Sequence, residues 1–106
     1  MGATKADLFT AEQNRLADLF RAVGHPARIA ILEYLLQVQG CVCGDIVHAI
    51  PLSQATVSQH LKELKKVGLI KGEVEGVRVC YCIDQPMWEE VKTLLDGFMA
   101  KAKCFC

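Results

Sequence analysis

The chain has 106 residues, a length that suits one core and one domain spanning residues 1–106. Hydrophobic residues make up 52% of it and charged residues 23%, a globular mix that excludes a disordered tail. Twelve basic and twelve acidic residues cancel, which argues against a protein that coats nucleic acid through bulk charge.

No apolar run approaches the ~18 residues needed to cross a bilayer. The opening MGATKADLFTAEQN lacks the apolar stretch of a secretory signal. A soluble, cytoplasmic protein with no membrane partner is expected.

Thr10 and Gln13 form the Thr-x-x-Gln pattern of a capping box. The helix that follows places Leu16, Leu19, Phe20 and Val23 on one side, and Gly24 ends it. His25-Pro26 restarts the chain, with His25 as cap and proline in the first turn. Ile29, Leu32, Leu35 and Leu36 then recur at helical spacing up to Gly40. A short third helix is expected over residues 43–50, closed by Pro51.

Ser53 caps a fourth helix whose apolar positions Val57, Leu61 and Leu64 share one face, with Gly68 at its end. Ala55, Ser58, Gln59, Lys62 and Lys66 fall on the opposite face, and Gln54 in the exposed first turn. Over residues 70–83 the period drops to two, which predicts a hairpin turning at Glu75-Gly76. Val77, Val79, Tyr81 and Ile83 share one face; Arg78, Cys80 and Cys82 share the other. Pro86 opens a last helix carrying a broad apolar stripe of Met87, Val91, Leu94, Leu95, Phe98 and Met99. The order is four helices, a hairpin and a helix, a mainly α (α+β) fold.

Charge is polarised along this order. The fourth helix and its exit hold Lys62, Lys65, Lys66 and Lys71 against Glu63, whereas residues 84–96 hold Asp84, Glu89, Glu90 and Asp96 against Lys92. A short helix, a Pro-containing break and a capped helix make a helix-turn-helix, whose second helix enters the major groove of double-stranded DNA. Gln54 and Gln59 suit adenine edges, Ser58 a base edge or phosphate, and Ala55 a thymine methyl. Lys62, Lys65, Lys66 and Arg78 suit phosphates.

The runs LFRAVGHPARIAILEYL, CVCGDIVHAI and LSQATVSQHLKELKKVGLIKGEVEGVRVCYCID resemble the ArsR/SmtB family of bacterial winged-helix repressors that answer to metals and metalloids. The resemblance implies a three-helix helix-turn-helix core with a β wing. It also implies a nucleoid-associated homodimer, paired through its first and last helices on a two-fold operator. The interface would then include Leu16, Leu19, Val91, Leu95 and Phe98. Thr56 joins the DNA-facing set, and so does His60, which either supports the reading helix or contacts a phosphate.

Six cysteines fall as three Cys-x-Cys pairs: Cys41/Cys43, Cys80/Cys82 and Cys104/Cys106. Without a secretory signal, reduced thiols are expected, and such close neighbours are poorly placed to staple distant segments. Thiolates take soft ions, and As(III) or Sb(III) takes three sulfurs. Residues i and i+2 of a helix point ~200° apart, so Cys41 and Cys43 can share an ion only where the third helix begins. A helix N-terminus there would also favour the thiolate.

In the arsenic-responsive branch that the chain resembles, a third cysteine follows three residues later. Ile46 stands at that place, which leaves Cys104 or Cys106 to complete the set. Cys80 and Cys82, ~6.6 Å apart on the outward face of a strand, are a secondary candidate pair. His48 is a reserve ligand. The zinc-responsive branch uses histidines on the last helix, and none follows His60 here.

The expected function is a repressor released from its operator by a thiophilic ion. Alternatives are a cysteine-based redox sensor of the same fold and a winged-helix interaction module without DNA binding. No Gly-rich phosphate loop, paired catalytic carboxylates or Ser-His-Asp set supports an enzyme.

Overall fold

A computed structural model describes residues 5–103. After a 3-10 turn at Lys5–Leu8 come α1 (Ala11–Val23), α2 (Pro26–Val38), α3 (Asp45–Ala49) and α4 (Gln54–Lys66). The strands β1 (Ile70–Glu75) and β2 (Arg78–Ile83) follow, then α5 (Gln85–Met99).

Local chemistry accounts for the boundaries. Thr10 Oγ1 accepts from Gln13 N at 3.0 Å while Gln13 Oε1 accepts from Thr10 N at 2.9 Å, closing the capping box in both directions. His25 caps α2 by accepting from Ala27 N through Nδ1. Ser53 Oγ accepts from Thr56 N at the start of α4. Gly68, at φ +87°, turns the chain out of α4 with its N–H on the Lys65 carbonyl.

One core forms where α1, α2, α4, the hairpin and α5 meet. Ile31, Leu35, Val57, Leu64 and Ile70 are its most enclosed members, with Leu19, Ile46, Leu61 and Val91 around them. The α2 periodicity is shifted from the expected one: Ile31 is fully buried, whereas Ile29 and Leu36 are exposed.

The hairpin is antiparallel, with Ile70 opposite Ile83, Glu73 opposite Cys80 and Glu75 opposite Arg78. Its turn is Gly76-Val77, one residue later than expected, with Gly76 at φ +65°. The tip projects beyond the core, so Val77 and Val79 are exposed although they share a face with Tyr81 and the buried Ile83.

α3 is shorter than expected. Gly44 adopts φ +132°, a conformation that L side chains rarely enter, and the helix starts only at Asp45. The residues before it are extended: Val42 N donates to Tyr81 O at 2.8 Å and Tyr81 N to Val42 O at 2.9 Å. This isolated bridge makes the α2–α3 linker a one-rung third strand on β2.

Candidate nucleic-acid interface and cysteine cluster

Two groups of residues stand out, one on α4 and one where the linker meets the hairpin. On α4, Val57, Leu61 and Leu64 are buried, while Gln54, Ala55, Thr56, Ser58, Gln59, Lys62 and Lys66 are exposed. The polar face is partly pre-engaged. Glu63 Oε1 accepts from Gln59 Nε2 and from Lys66 Nζ, each at 3.3 Å, and Thr56 Oγ1 lies 2.9 Å from Ser53 Oγ. Arg78 is exposed at the hairpin tip opposite Glu75. Gln54 and Ser58 border a cleft of about 270 Å³ shared with Ile46, Val47, Leu61, Val79 and Tyr81, where α3, α4 and the hairpin converge.

His60 lies on the buried side of α4, away from the phosphate contact that is one of its two expected roles. It is buried, its Nδ1 accepts from Arg28 Nε at 3.0 Å, and its ring lies 4.5 Å from that of His25. Burial first, then the neighbouring His25 and Arg28, holds its pKa below the usual histidine value. A neutral imidazole accepting from Arg28 locks the back of α4 to the start of α2. Arg28 also donates to the Ala22 carbonyl, so one guanidinium joins α1, α2 and α4. His60 thus positions the helix from behind.

The second group follows from strand geometry. Val42 and Tyr81 exchange both backbone hydrogen bonds, so the flanking pairs Cys41/Cys82 and Cys43/Cys80 occupy non-hydrogen-bonded positions, where opposing side chains stand closest. The Cα atoms of Cys43 and Cys80 are 4.0 Å apart, and the two residues are joined as a disulfide. This corrects the expectation of fully reduced cysteines and of pairs unable to link distant segments. Each cysteine bonds across the strands and not within its own Cys-x-Cys.

Among the described residues the free thiols are Cys41, exposed, and Cys82, buried. Cys80 and Cys82 therefore do not lie open on an outward face; both are enclosed. Cys41 and Cys43 sit on an extended segment before α3, not in the first turn of a helix as expected. Cys104 and Cys106 lie outside the described residues.

Two carboxylates complete the cluster. Because opposed residues share a face, Glu73 and Glu75 project on the same side as Cys80 and Cys82. Glu75 Oε2 lies 3.2 Å from Cys80 Sγ and 3.6 Å from Cys43 Sγ. Ligand atoms of Cys41, Glu73 and Cys82 fall within 4.8 Å of one another, as do those of Cys43, Glu75 and Cys80.

Burial above all pushes the Cys82 thiol up to about 11. Its hydrogen bond with Cys41 and the charges of Cys41 and Glu73 act in the same direction, against Lys71. The sequence reading missed Glu73 and Glu75. Counting back from Gly76 on the hairpin register would have found them.

The expected dimer contacts divide. Leu16, Leu19 and Val91 are buried within the protomer and serve its core; Leu95 is half-buried, and Phe98 is exposed. Phe98 meets Phe20 of α1 edge-to-face at 6.4 Å, with Met99 exposed one residue further along.

A capped, basic, two-faced helix behind a short helix, followed by an antiparallel hairpin, defines a winged helix-turn-helix DNA-binding protein. Residues 25–71 match the family model described as bacterial regulatory protein, arsR family. The chain is 37% identical to a cadmium resistance transcriptional regulatory protein, CadC homolog, of Staphylococcus aureus, over 87% of this chain and 74% of that one. Its fold is similar to that of an ArsR-like transcriptional regulator from Rhodococcus sp. RHA1 (TM-score 0.71, 20% identity, covering 87% of this chain and 86% of that one). It is also similar to the homodimeric winged helix-turn-helix DNA-binding domain Mb0332 from Mycobacterium bovis (TM-score 0.64, 24% identity, 99% and 98% covered).

The chain belongs to the ArsR/SmtB family of transcriptional regulators. These relatives are named as regulators and not as enzymes. No described helix is long and apolar enough to cross a membrane.

Proposed function

We propose that this protein is a cytoplasmic, homodimeric repressor that releases its operator when a thiophilic metal or metalloid ion is held by thiolates around Cys41 and, where a cellular thiol reductant has opened the Cys43–Cys80 disulfide, Cys43. The observation that carries this reading is the Val42–Tyr81 bridge, which gathers those two cysteines with Cys80 and Cys82 beside the start of α3. Tyr81 and Val79 line the cleft that Gln54 and Ser58 border, so the cysteines occupy the other face of the same small sheet. An ion drawn onto that face changes how the linker and wing sit against α3 and α4.

DNA reading falls to Gln54, Ala55, Ser58 and Gln59 for base edges, and to Lys62, Lys66 and Arg78 for phosphates. Thr56 supports the cap. Exposed Phe20, Phe98 and Met99, with Leu95, offer the apolar surface through which α1 and α5 of two copies would pair. The relative named for cadmium resistance supports a soft cation as inducer; As(III) and Sb(III) share the thiolate chemistry.

The test is fluorescence anisotropy of DNA from upstream of the protein's own gene, with and without cadmium or arsenite. Weakened binding in either case supports the reading. Unchanged binding at saturating ion contradicts it.

The Cys43–Cys80 disulfide favours a second reading, in which oxidation itself is the signal. Peroxide-induced release from DNA, reversed by dithiothreitol in metal-free buffer, would support it. Equal DNA affinity of the oxidised and reduced chains would exclude it.

A further inference from the structure

We infer that Cys41, Cys82 and Glu73 form a cation site of their own, spanning three strands, and that it takes a soft or borderline divalent d10 cation such as cadmium or zinc. This deepens the proposed function, on which its regulatory meaning rests, but it reassigns the ligands. Cys41 acts across the sheet with Cys82, not along the chain with Cys43.

Three observations lead there. First, the ligand atoms of Cys41, Glu73 and Cys82 already lie within 4.8 Å of one another, one from the linker, one from β1 and one from β2. Second, the neighbouring rung of Cys43, Cys80 and Glu75 has its two sulfurs joined to each other, which leaves Cys41 and Cys82 as the available thiols among the described residues. Third, access is one-sided: Cys82 is buried whereas Cys41 and Glu73 are exposed, so an ion can enter from solvent and be held against an enclosed sulfur.

The donor set selects the ion. Two sulfurs and one carboxylate oxygen match the mixed coordination that zinc and cadmium accept, with a fourth position left for water or a further side chain. A trivalent metalloid needs three sulfurs, and this rung supplies two. Lys71, whose Nζ lies 3.6 Å from Glu73 Oε1, holds the carboxylate in the ion's place; being exposed, it can swing aside when the cation arrives. Binding releases the protons of both thiols to solvent and breaks no other bond. Its mechanical effect is to tie the α2–α3 linker to both wing strands.

The test uses the full chain with the Cys43–Cys80 disulfide intact, freed of metal by chelator under nitrogen, and titrated with cadmium. Thiolate-to-cadmium absorption in the near ultraviolet is the readout. One cadmium per chain is expected. Cys41→Ser and Cys82→Ser should each lower affinity by more than the about 10–100-fold that losing an outer partner costs, and Glu73→Gln by about tenfold. A double variant, Cys104→Ser with Cys106→Ser, should bind as the parent does.

Cadmium absorption that survives Cys41→Ser, or that disappears in the tail double variant, overturns the assignment. Cys41 is exposed, so its variant keeps the test valid if Cys82→Ser fails to fold. The two readings fail separately. Cadmium held at this rung without any change in DNA affinity refutes the proposed function and leaves the site standing. A cadmium response at the operator that persists in Cys41→Ser and Cys82→Ser refutes the site and leaves the function standing.

Discussion

The reading helix and the cysteine cluster are built in opposite ways. α4 is one continuous segment with a cap, a 3.6-residue period and a glycine exit, so neighbours in the sequence make its working surface. The cluster draws on residues 41–43, 73–75 and 80–82, brought together by one isolated bridge and a hairpin register. A surface made by one element tolerates changes elsewhere as long as its buried side holds. A cluster made by three segments responds to anything that shifts them, which is what a sensor requires. Under the proposed function, the difference separates recognition from response within a small molecule.

The largest effect should come from breaking what both regions share. Leu64 is fully enclosed on the back of α4, and Leu64→Ala should cost about 2–5 kcal/mol. That corresponds to a Tm fall of at least about 8 °C in thermal unfolding, with DNA and cadmium binding weakened together.

Changes on the polar side of α4 should separate the two regions. Gln59→Ala should weaken operator binding by about 1–3 kcal/mol, or about 5–150-fold, while leaving Tm and cadmium affinity as in the parent. Gln59 must leave Glu63 to reach a base, so part of that energy is already set against an internal hydrogen bond. Lys62→Ala should act uniformly across DNA sequences and reduce the salt slope of binding by about one per protomer. Unchanged affinity in both variants would assign the helix to a different partner.

Smaller effects sharpen the support of α4. Ser53→Ala removes the side chain that accepts from Thr56 N and should cost about 1 kcal/mol in urea unfolding. His60 adds a pH dependence. Its folded pKa lies below the unfolded value of 6.5, so near and below that pH the unfolded chain binds more protons. Its contribution is therefore fully present above about pH 6.5 and is lost as the pH falls towards the folded value. Urea unfolding at pH 7.5 and pH 5.5 should show this decline, and His60→Gln should flatten it.

How much of each region could be read in advance follows from the same contrast. Thr10, His25, Ser53 and Gly68 announce helix ends because each acts on backbone groups within three residues, and the structure has all four in those roles. The buried and exposed sides of α4 emerge from spacing alone, except at His60, whose partner Arg28 lies 32 positions away. Alternation in β2 separates two faces, but it does not reveal that a third segment covers Cys80 and Cys82.

That segment was illegible for a physical reason. A single bridge at Val42 has no periodicity, and the positive φ at Gly44 that delays α3 leaves no mark beyond the glycine itself. Leu16, Leu19 and Val91 show a related limit. An apolar stripe says which side of a helix avoids water, not whether its own core or a second copy covers it.

The most direct measurement is anisotropy of labelled DNA from upstream of the protein's own gene, titrated with the parent chain and with Cys41→Ser, each with and without saturating cadmium. The account predicts that cadmium lowers the parent's affinity by about 5–150-fold, the range of ordinary coupling between two sites, and leaves that of Cys41→Ser unaltered. A parent chain that holds cadmium, as its ultraviolet absorption would show, yet grips the DNA equally well with and without it would contradict the account.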